Sequence, residues 1–163
     1  EPENNIELMC DSYLASNNNL PYYIIGNHKT KYGEILKSKY KDTRIYFLGA
    51  IFNKEELDTF RFFAKYYLHG HSVGGTNPAL IEAMAASAFI LIHNNPFNKS
   101  VVCEDNFSFS DSNQLKDLLE NKEILSERDK LAKLNLAIID ENYRWEKIVD
   151  QYESYFLKIL NHK

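Results

Sequence analysis

Three runs of β-branched and aromatic residues each end on a glycine: Tyr22-Tyr23-Ile24-Ile25-Gly26, Ile45-Tyr46-Phe47-Leu48-Gly49 and Tyr66-Tyr67-Leu68-His69-Gly70. Their hydrophobicity is continuous rather than alternating, which is how a strand reads when both of its faces are covered. A fourth run spans Phe89 to His93, and a shorter one lies near Phe107-Ser108-Phe109. Helical patterns separate them. Ile6, Met9, Cys10, Tyr13 and Leu14 share one helix face, with Asn4 or Asn5 as cap and Asn17-Asn18-Asn19 as its end. Thr30 to Tyr40 is a polar, Lys-rich helical stretch. Asn53 caps a helix carrying Glu55, Glu56, Leu57 and Phe60. Asn77-Pro78 opens another from Ala79 to Ala86, with Pro at the first helical position. Further helices are predicted from Asp111 to Glu120, Ile124 to Ile139 and Trp145 to Leu160, and a polar loop after His93 running through Asn98.

Strand–helix alternation with short connections predicts an α/β fold, an open, doubly wound parallel sheet with helices on both faces. Ligands of such sheets bind beyond the carboxyl ends of the strands. The loops after Ile25, Phe47, Leu68 and Ile92 therefore share one rim.

Length and composition narrow the function. The 163 residues are 44% hydrophobic and 26% charged, enough for one domain with its own core and too apolar for a disordered tail. A net charge of -4 argues against a general nucleic-acid binder. No apolar stretch approaches the ~20 residues needed to cross a bilayer. Cys10 and Cys103 lie far apart without metal-ligand spacing, so two reduced thiols are expected. No G-x-G-x-x-G follows a strand, no G-x-S-x-G is present, and no Asp-x-Asp pair offers a divalent-ion site; no metal or other cofactor is expected. The opening Glu1-Pro2-Glu3-Asn4-Asn5 reads as the end of a turn entering a helix, and a piece of a longer protein is expected.

The informative segment runs from Gly70 to Ala85. Gly74-Gly75 permits close backbone approach to a ligand, and the helix that follows offers N–H groups and a positive dipole end. Together they suit a diphosphate. Glu82, just over one turn into the helix, is too acidic to meet phosphate but can accept hydrogen bonds from ribose hydroxyls. An ordinary loop followed by a solvated glutamate fits the same residues. His71 is read either as facing a sugar or the domain cleft, or as a plain strand-end histidine. Asn98 and Lys99 lie within reach of the cleft. Tyr22, Tyr23, Tyr66 and Tyr67 read as core.

Asn-Pro-Ala-Leu-Ile-Glu-Ala-Met-Ala (77–85) after a small loop resembles the donor-binding half of retaining glycosyltransferases of family 4, with the GT-B fold. His71-Ser72-Val73-Gly74-Gly75-Thr76-Asn77-Pro78 is similar to their bacterial rhamnosyltransferase-type branch, which acts in capsule and O-antigen synthesis. Glu1 to Asn5 looks like the loop after the first strand of that domain, which places that strand upstream of Glu1. Phe47 to Ile51 looks like the base-binding loop. The resemblance implies that residues 1–163 are the nucleotide-sugar-binding domain of a two-domain enzyme. Glu82 matches the second glutamate of the family's Glu-seven-residues-Glu motif and would hold the ribose. Gly75, Thr76 and Asn77 match the loop facing the diphosphate and donor sugar, Leu80 would line the nucleotide, and Ala50 and Ile51 would meet the base.

Two positions depart from the pattern. Gly74 stands where the motif has its first glutamate, and Asn4 where relatives usually carry a phosphate-binding lysine. The implied donor is a dTDP- or UDP-linked sugar, with rhamnose compatible, and the implied acceptor a lipid-linked saccharide held by the other domain. Catalytic groups would lie there too. The enzyme would be cytoplasmic, peripheral to the inner membrane. The alternative is a non-catalytic nucleotide-binding or interaction module of the same fold.

Overall fold

A computed structural model describes residues 1–41 and 43–161. In chain order the elements are α1 (Ile6–Ala15), β1 (Tyr22–Ile25), α2 (Lys31–Lys39), β2 (Ile45–Gly49), α3 (Lys54–Phe63), β3 (Tyr67–His69), α4 (Pro78–Ala85), β4 (Ile90–His93), α5 (Pro96–Lys99), β5 (Ser108–Phe109), α6 (Ser112–Glu120), α7 (Arg128–Asn142) and α8 (Trp145–Asn161).

Helix starts follow side-chain chemistry. Thr30 Oγ1 accepts from Gly33 N–H, Asn53 Oδ1 from Glu56 N–H, Asn77 Oδ1 from Ala79 N–H, and Asp111 Oδ1 from Asn113 and Gln114 N–H, all at 2.9–3.0 Å. Each satisfies a donor that the first helical turn leaves free. α1 differs. Asn5 precedes it in the left-handed region (φ 50°), and its side chain caps nothing; Nδ2 donates instead to Gly70 C=O at 2.7 Å. Two sequence expectations need correction. The segment after His93 contains the short helix α5, because Asn95 Oδ1 accepts from Asn98 N–H at 2.9 Å and Pro96 supplies a pre-set first residue. The helix expected from Ile124 is a 3-10 turn at Glu123–Glu127 followed by α7.

All strand pairs are parallel, as expected, but the single sheet resolves into two. One pairs β1 with β2, Tyr22 opposite Ile45; the other runs β3-β4-β5, with Tyr67 opposite Ile90 and Ile92 opposite Ser108. β1 and β3 are not bonded to each other. A cavity of about 1000 Å³ lies between their inner edges. Tyr22, Tyr66 and Tyr67 pack against the buried core, as expected, while their edges line this cavity; Tyr23 differs in being 43% exposed.

Side-chain alternation shows that both sheets belong to one three-layer stack. Phe89 and Leu91 pack with Ile45, Met9, Tyr13, Leu36, Leu115 and Leu119, toward α1, α2 and α6. Ile90 and Ile92 pack with Leu80, Ala83, Met84 and Ile138, toward α4 and α7. Each fully buried Leu or Ile contributes about 1.5–3 kcal/mol relative to exposure. Asn135 of α7 is buried because it has work at both ends of its amide: Oδ1 accepts from Cys103 N–H at 2.9 Å, and Nδ2 donates to Asn106. Both cysteines are buried and unpaired; burial, aided by Asp11, pushes the Cys10 thiol up to about 12. α8 has no buried residue. Among the described residues no helix is long and apolar enough to cross a membrane.

Candidate functional site

The carboxyl ends of the strands form one rim, and the segment after β3 is its most tightly braced part. His71 C=O accepts from Nδ2 of both Asn95 (3.0 Å) and Asn98 (2.8 Å), and Asn98 also ties His93 C=O. Asn98, only 3% exposed, is thus a strut for the rim rather than a ligand-facing group. Lys99 is exposed. From the other side, Ser72 donates through N–H and Oγ to Glu3 C=O at 2.9 and 3.0 Å. Asn4 Oδ1 accepts from His71 Nδ1 at 2.8 Å, which places the ring proton on Nδ1 and leaves Nε2 free. Gly70 must be glycine for this arrangement: a Cβ there would lie 2.3 Å from Asn4 C=O.

Between these braces and α4 the loop is open. Gly74, Gly75 and Thr76 are exposed, and Gly74 sits at φ +81°, a backbone state that favours glycine. The N–H groups of Gly74, Gly75, Thr76 and Asn77 donate to no acceptor among the described residues. The helix end itself contributes less than its sequence suggests. Pro78 has no N–H, Asn77 Oδ1 takes that of Ala79, and Leu80 N–H bonds Asn77 C=O. Free donors for an anion therefore lie in the 74–77 loop, one step before the helix.

Glu82 is on the outer side of α4, its side chain about half exposed. Oε2 accepts from Arg61 Nη2 at 2.6 Å, while Oε1 has no protein partner among the described residues. Arg61 itself is 6% exposed and also donates to Asp58 Oδ1 at 2.9 Å. Burial of Asp58 works against its charge, but Lys54 and Arg61 outweigh that and hold its carboxyl below the ordinary value. Burial likewise opposes the Arg61 charge, and Glu82 and Asp58 more than restore it.

The structure brings Asn4, Ala50, Ile51, His71 and Asn77 to one cavity wall and rim. Gly74, Gly75 and Thr76 stand beside it in the exposed loop. Leu80 does not join them: it is fully buried against Ala83, Met84, Ile90 and Ile92, so its side chain fastens α4 to the sheet and cannot line a ligand. Sequence reasoning missed Arg61 and Asn95, whose partners come from other elements, and it set Asn98 at the cleft where the structure makes it a brace. His69 is buried with Nε2 unpartnered, and burial, with His71 nearby, pushes its pKa down to about 4. Among the described residues no group of three His, Cys, Asp or Glu is placed to hold a metal.

No family model and no curated protein sequence matches the chain. Solved structures do. Anabaena HepE, in complex with UDP-glucose, superposes with TM-score 0.78 at 13% identity, over 97% of this chain and 46% of that one. The C-terminal domain of LpcC, a glycosyl transferase group 1 family protein from Francisella tularensis, gives 0.69 at 16% identity over 89% and 82%. TarM gives 0.69 at 19% identity over 96% of this chain and 33% of that one. The fold is that of a GT-B C-terminal domain. The chain spans just under half the length of HepE. This likeness agrees with the Rossmann-like α/β expectation.

Proposed function

We propose that the chain is the donor-binding domain of a retaining glycosyltransferase, one half of a two-domain enzyme that takes a sugar from a nucleoside diphosphate. The observation that carries this reading is the loop at 74–77, whose four N–H groups are unbonded among the described residues and which leads directly into α4, the helix carrying Glu82 with one carboxylate oxygen free. Donors suit the diphosphate, and Glu82 Oε1 suits the ribose hydroxyls. Ala50 and Ile51, beyond β2, suit the base, and His71 Nε2 the sugar. That HepE has been solved with UDP-glucose and with UDP supports a nucleoside diphosphate as the ligand class. When the bond between sugar and diphosphate breaks, negative charge builds on the leaving group, and fixed amide dipoles lower that cost.

The donor we favour is a dTDP- or UDP-linked sugar, rhamnose among them, and the acceptor a lipid-linked saccharide in capsule or O-antigen synthesis. Catalytic groups belong to the other domain, and the whole enzyme works in the cytoplasm at the inner membrane. Calorimetric titration of the chain with UDP and dTDP, alongside Glu82→Ala, tests the reading. Weak binding that drops by about tenfold or more in the variant, ~1.4 kcal/mol, is expected. Binding by neither protein leaves an interaction module of the same fold. Turnover of a nucleotide sugar by this chain alone contradicts placing the catalytic groups elsewhere.

A further inference from the structure

Glu3, Asn4 and Asn5 meet Ser72, His71 and Gly70 in antiparallel order, and the middle rung is made by side chains. Ser72 N–H donates to Glu3 C=O at 2.9 Å, and Asn5 Nδ2 donates to Gly70 C=O at 2.7 Å. Between them His71 Nδ1 and Asn4 Oδ1 stand 2.8 Å apart. The flanking bonds, with the hold of Asn95 and Asn98 on His71 C=O, fix both residues in this facing. A neutral imidazole has one N–H, so a proton committed to Nδ1 leaves a lone pair on Nε2. His69 does not compete for it. Its ring is buried, 6.4 Å from that of His71 between centroids, and its own Nε2 has no partner among the described residues.

His71 Nε2 lies beside the 74–77 loop. A Cβ at Gly74 would stand 4.0 Å from it, so the lone pair neighbours the first of the four unbonded amides, and no side chain of residue 74 covers it. Two opposite chemistries sit side by side: amide donors that suit oxyanions, and an acceptor that repels them. Ionised phosphate oxygens have no hydrogen to give a lone pair, whereas hydroxyls do. We propose that Asn4 is a positioning residue that fixes the His71 tautomer, and that Nε2 so held accepts a hydroxyl of the transferred sugar and thereby selects the nucleotide sugar over the nucleotide left after transfer. The selection rests on the donor-binding function proposed above; the tautomer stands on the geometry of residues 3–5 and 70–74 alone. One neutral hydrogen bond of this kind is worth roughly threefold to tenfold in affinity. The spent nucleotide has no sugar hydroxyl to offer and brings a further negative charge toward the lone pair.

Long-range proton–nitrogen NMR spectra of the ligand-free chain read the ring directly, since bare and protonated ring nitrogens resonate far apart. His71 should carry its proton on Nδ1 and none on Nε2. A proton on Nε2 in the parent chain overturns the proposal, whatever the variants do. Asn4→Leu should move His71 toward the Nε2–H form. Calorimetry with UDP against UDP-glucose, and with dTDP against dTDP-glucose, tests what the lone pair selects. Preference for the sugar-bearing member of a pair should fall by roughly threefold to tenfold in Asn4→Leu and in His71→Phe, and by no more than that in the double variant. Losses that add in the double variant mean that Asn4 acts apart from His71, and remove its positioning role. An unchanged preference in His71→Phe overturns the hydroxyl contact. If none of the four compounds binds the parent chain, the donor-binding reading fails and the selection with it, while the imidazole spectrum still decides the tautomer. If Asn4→Leu fails to fold, the parent spectrum and His71→Phe decide.

Discussion

Arg61 on α3 and Glu82 on α4 are joined across 21 residues of sequence, Nη2 to Oε2 at 2.6 Å, with the arginine buried and the glutamate half exposed. The pair leaves one carboxylate oxygen toward solvent and fixes where it points. Under the proposed function, Arg61 is then a positioning residue for the ligand of Glu82. Arg61→Lys keeps a charge but loses the fork that serves Asp58 and Glu82 together. It should cost about 1–2 kcal/mol in urea unfolding, because a buried charge loses a charge-assisted bond while its partners remain partly hydrated. Affinity for UDP should fall several-fold in Arg61→Lys even at temperatures where it is fully folded. Unchanged affinity would show that Glu82 needs no such support.

Gly70→Ala addresses the other brace. The new methyl would lie 2.3 Å from Asn4 C=O and 2.8 Å from Met9 Cε. A backbone carbonyl cannot step aside as a flexible side chain can, so residues 1–5 must shift. A loss of about 1–3 kcal/mol is expected, as for overpacking elsewhere. The Ser72 N–H bond to Glu3 should break with it, visible as faster exchange of the Ser72 amide. A variant as stable as the parent would mean that the segment is not docked as described.

How much of this was readable in advance depends on the range of the interactions. Thr30, Asn53, Asn77 and Asp111 cap their helices through bonds to amides two or three residues away, so the sequence carries the whole signal. The strand runs were legible for the same reason: continuous apolar character marks burial on both faces. Arg61–Glu82 and the Asn95 and Asn98 bonds to His71 join elements that only the fold brings together. Leu80 failed as a site residue because helical position gives its distance from the rim but not its facing, and it faces the sheet. The division into two sheets was hidden too, since pairing partners are not encoded in a strand's own hydrophobicity.

His69 should make stability pH-dependent. Its pKa is lowered in the folded state to about 4, against an ordinary value of 6.5. The unfolded chain therefore binds the proton more readily between these values, and the stability contributed by the neutral ring is complete above pH 6.5 and lost as pH falls toward 4. At pH 5 the loss is about 2 kcal/mol relative to pH 7. Urea unfolding of the chain and of His69→Gln at both pH values isolates it, because carboxylates titrate equally in the two proteins. Parallel pH profiles would show that the imidazole is not held neutral.

α8 is the element with least to do in the isolated chain. Trp145, Val149, Tyr152 and Phe156 recur at helical spacing and are all more than half exposed. A stripe of that size is normally covered, and a helix without tertiary contacts gains little from its own hydrogen bonds in water. Truncation after Arg144 should therefore leave the unfolding free energy within about 0.5 kcal/mol, as for changes remote from the core. Binding of a hydrophobic dye should fall, along with any self-association of the chain. A large loss of stability would mean that α8 folds back onto this domain in solution. The expected result leaves its aromatic face available to the second domain proposed above, and a protein carrying such a domain should bury Trp145 and shift its fluorescence to the blue.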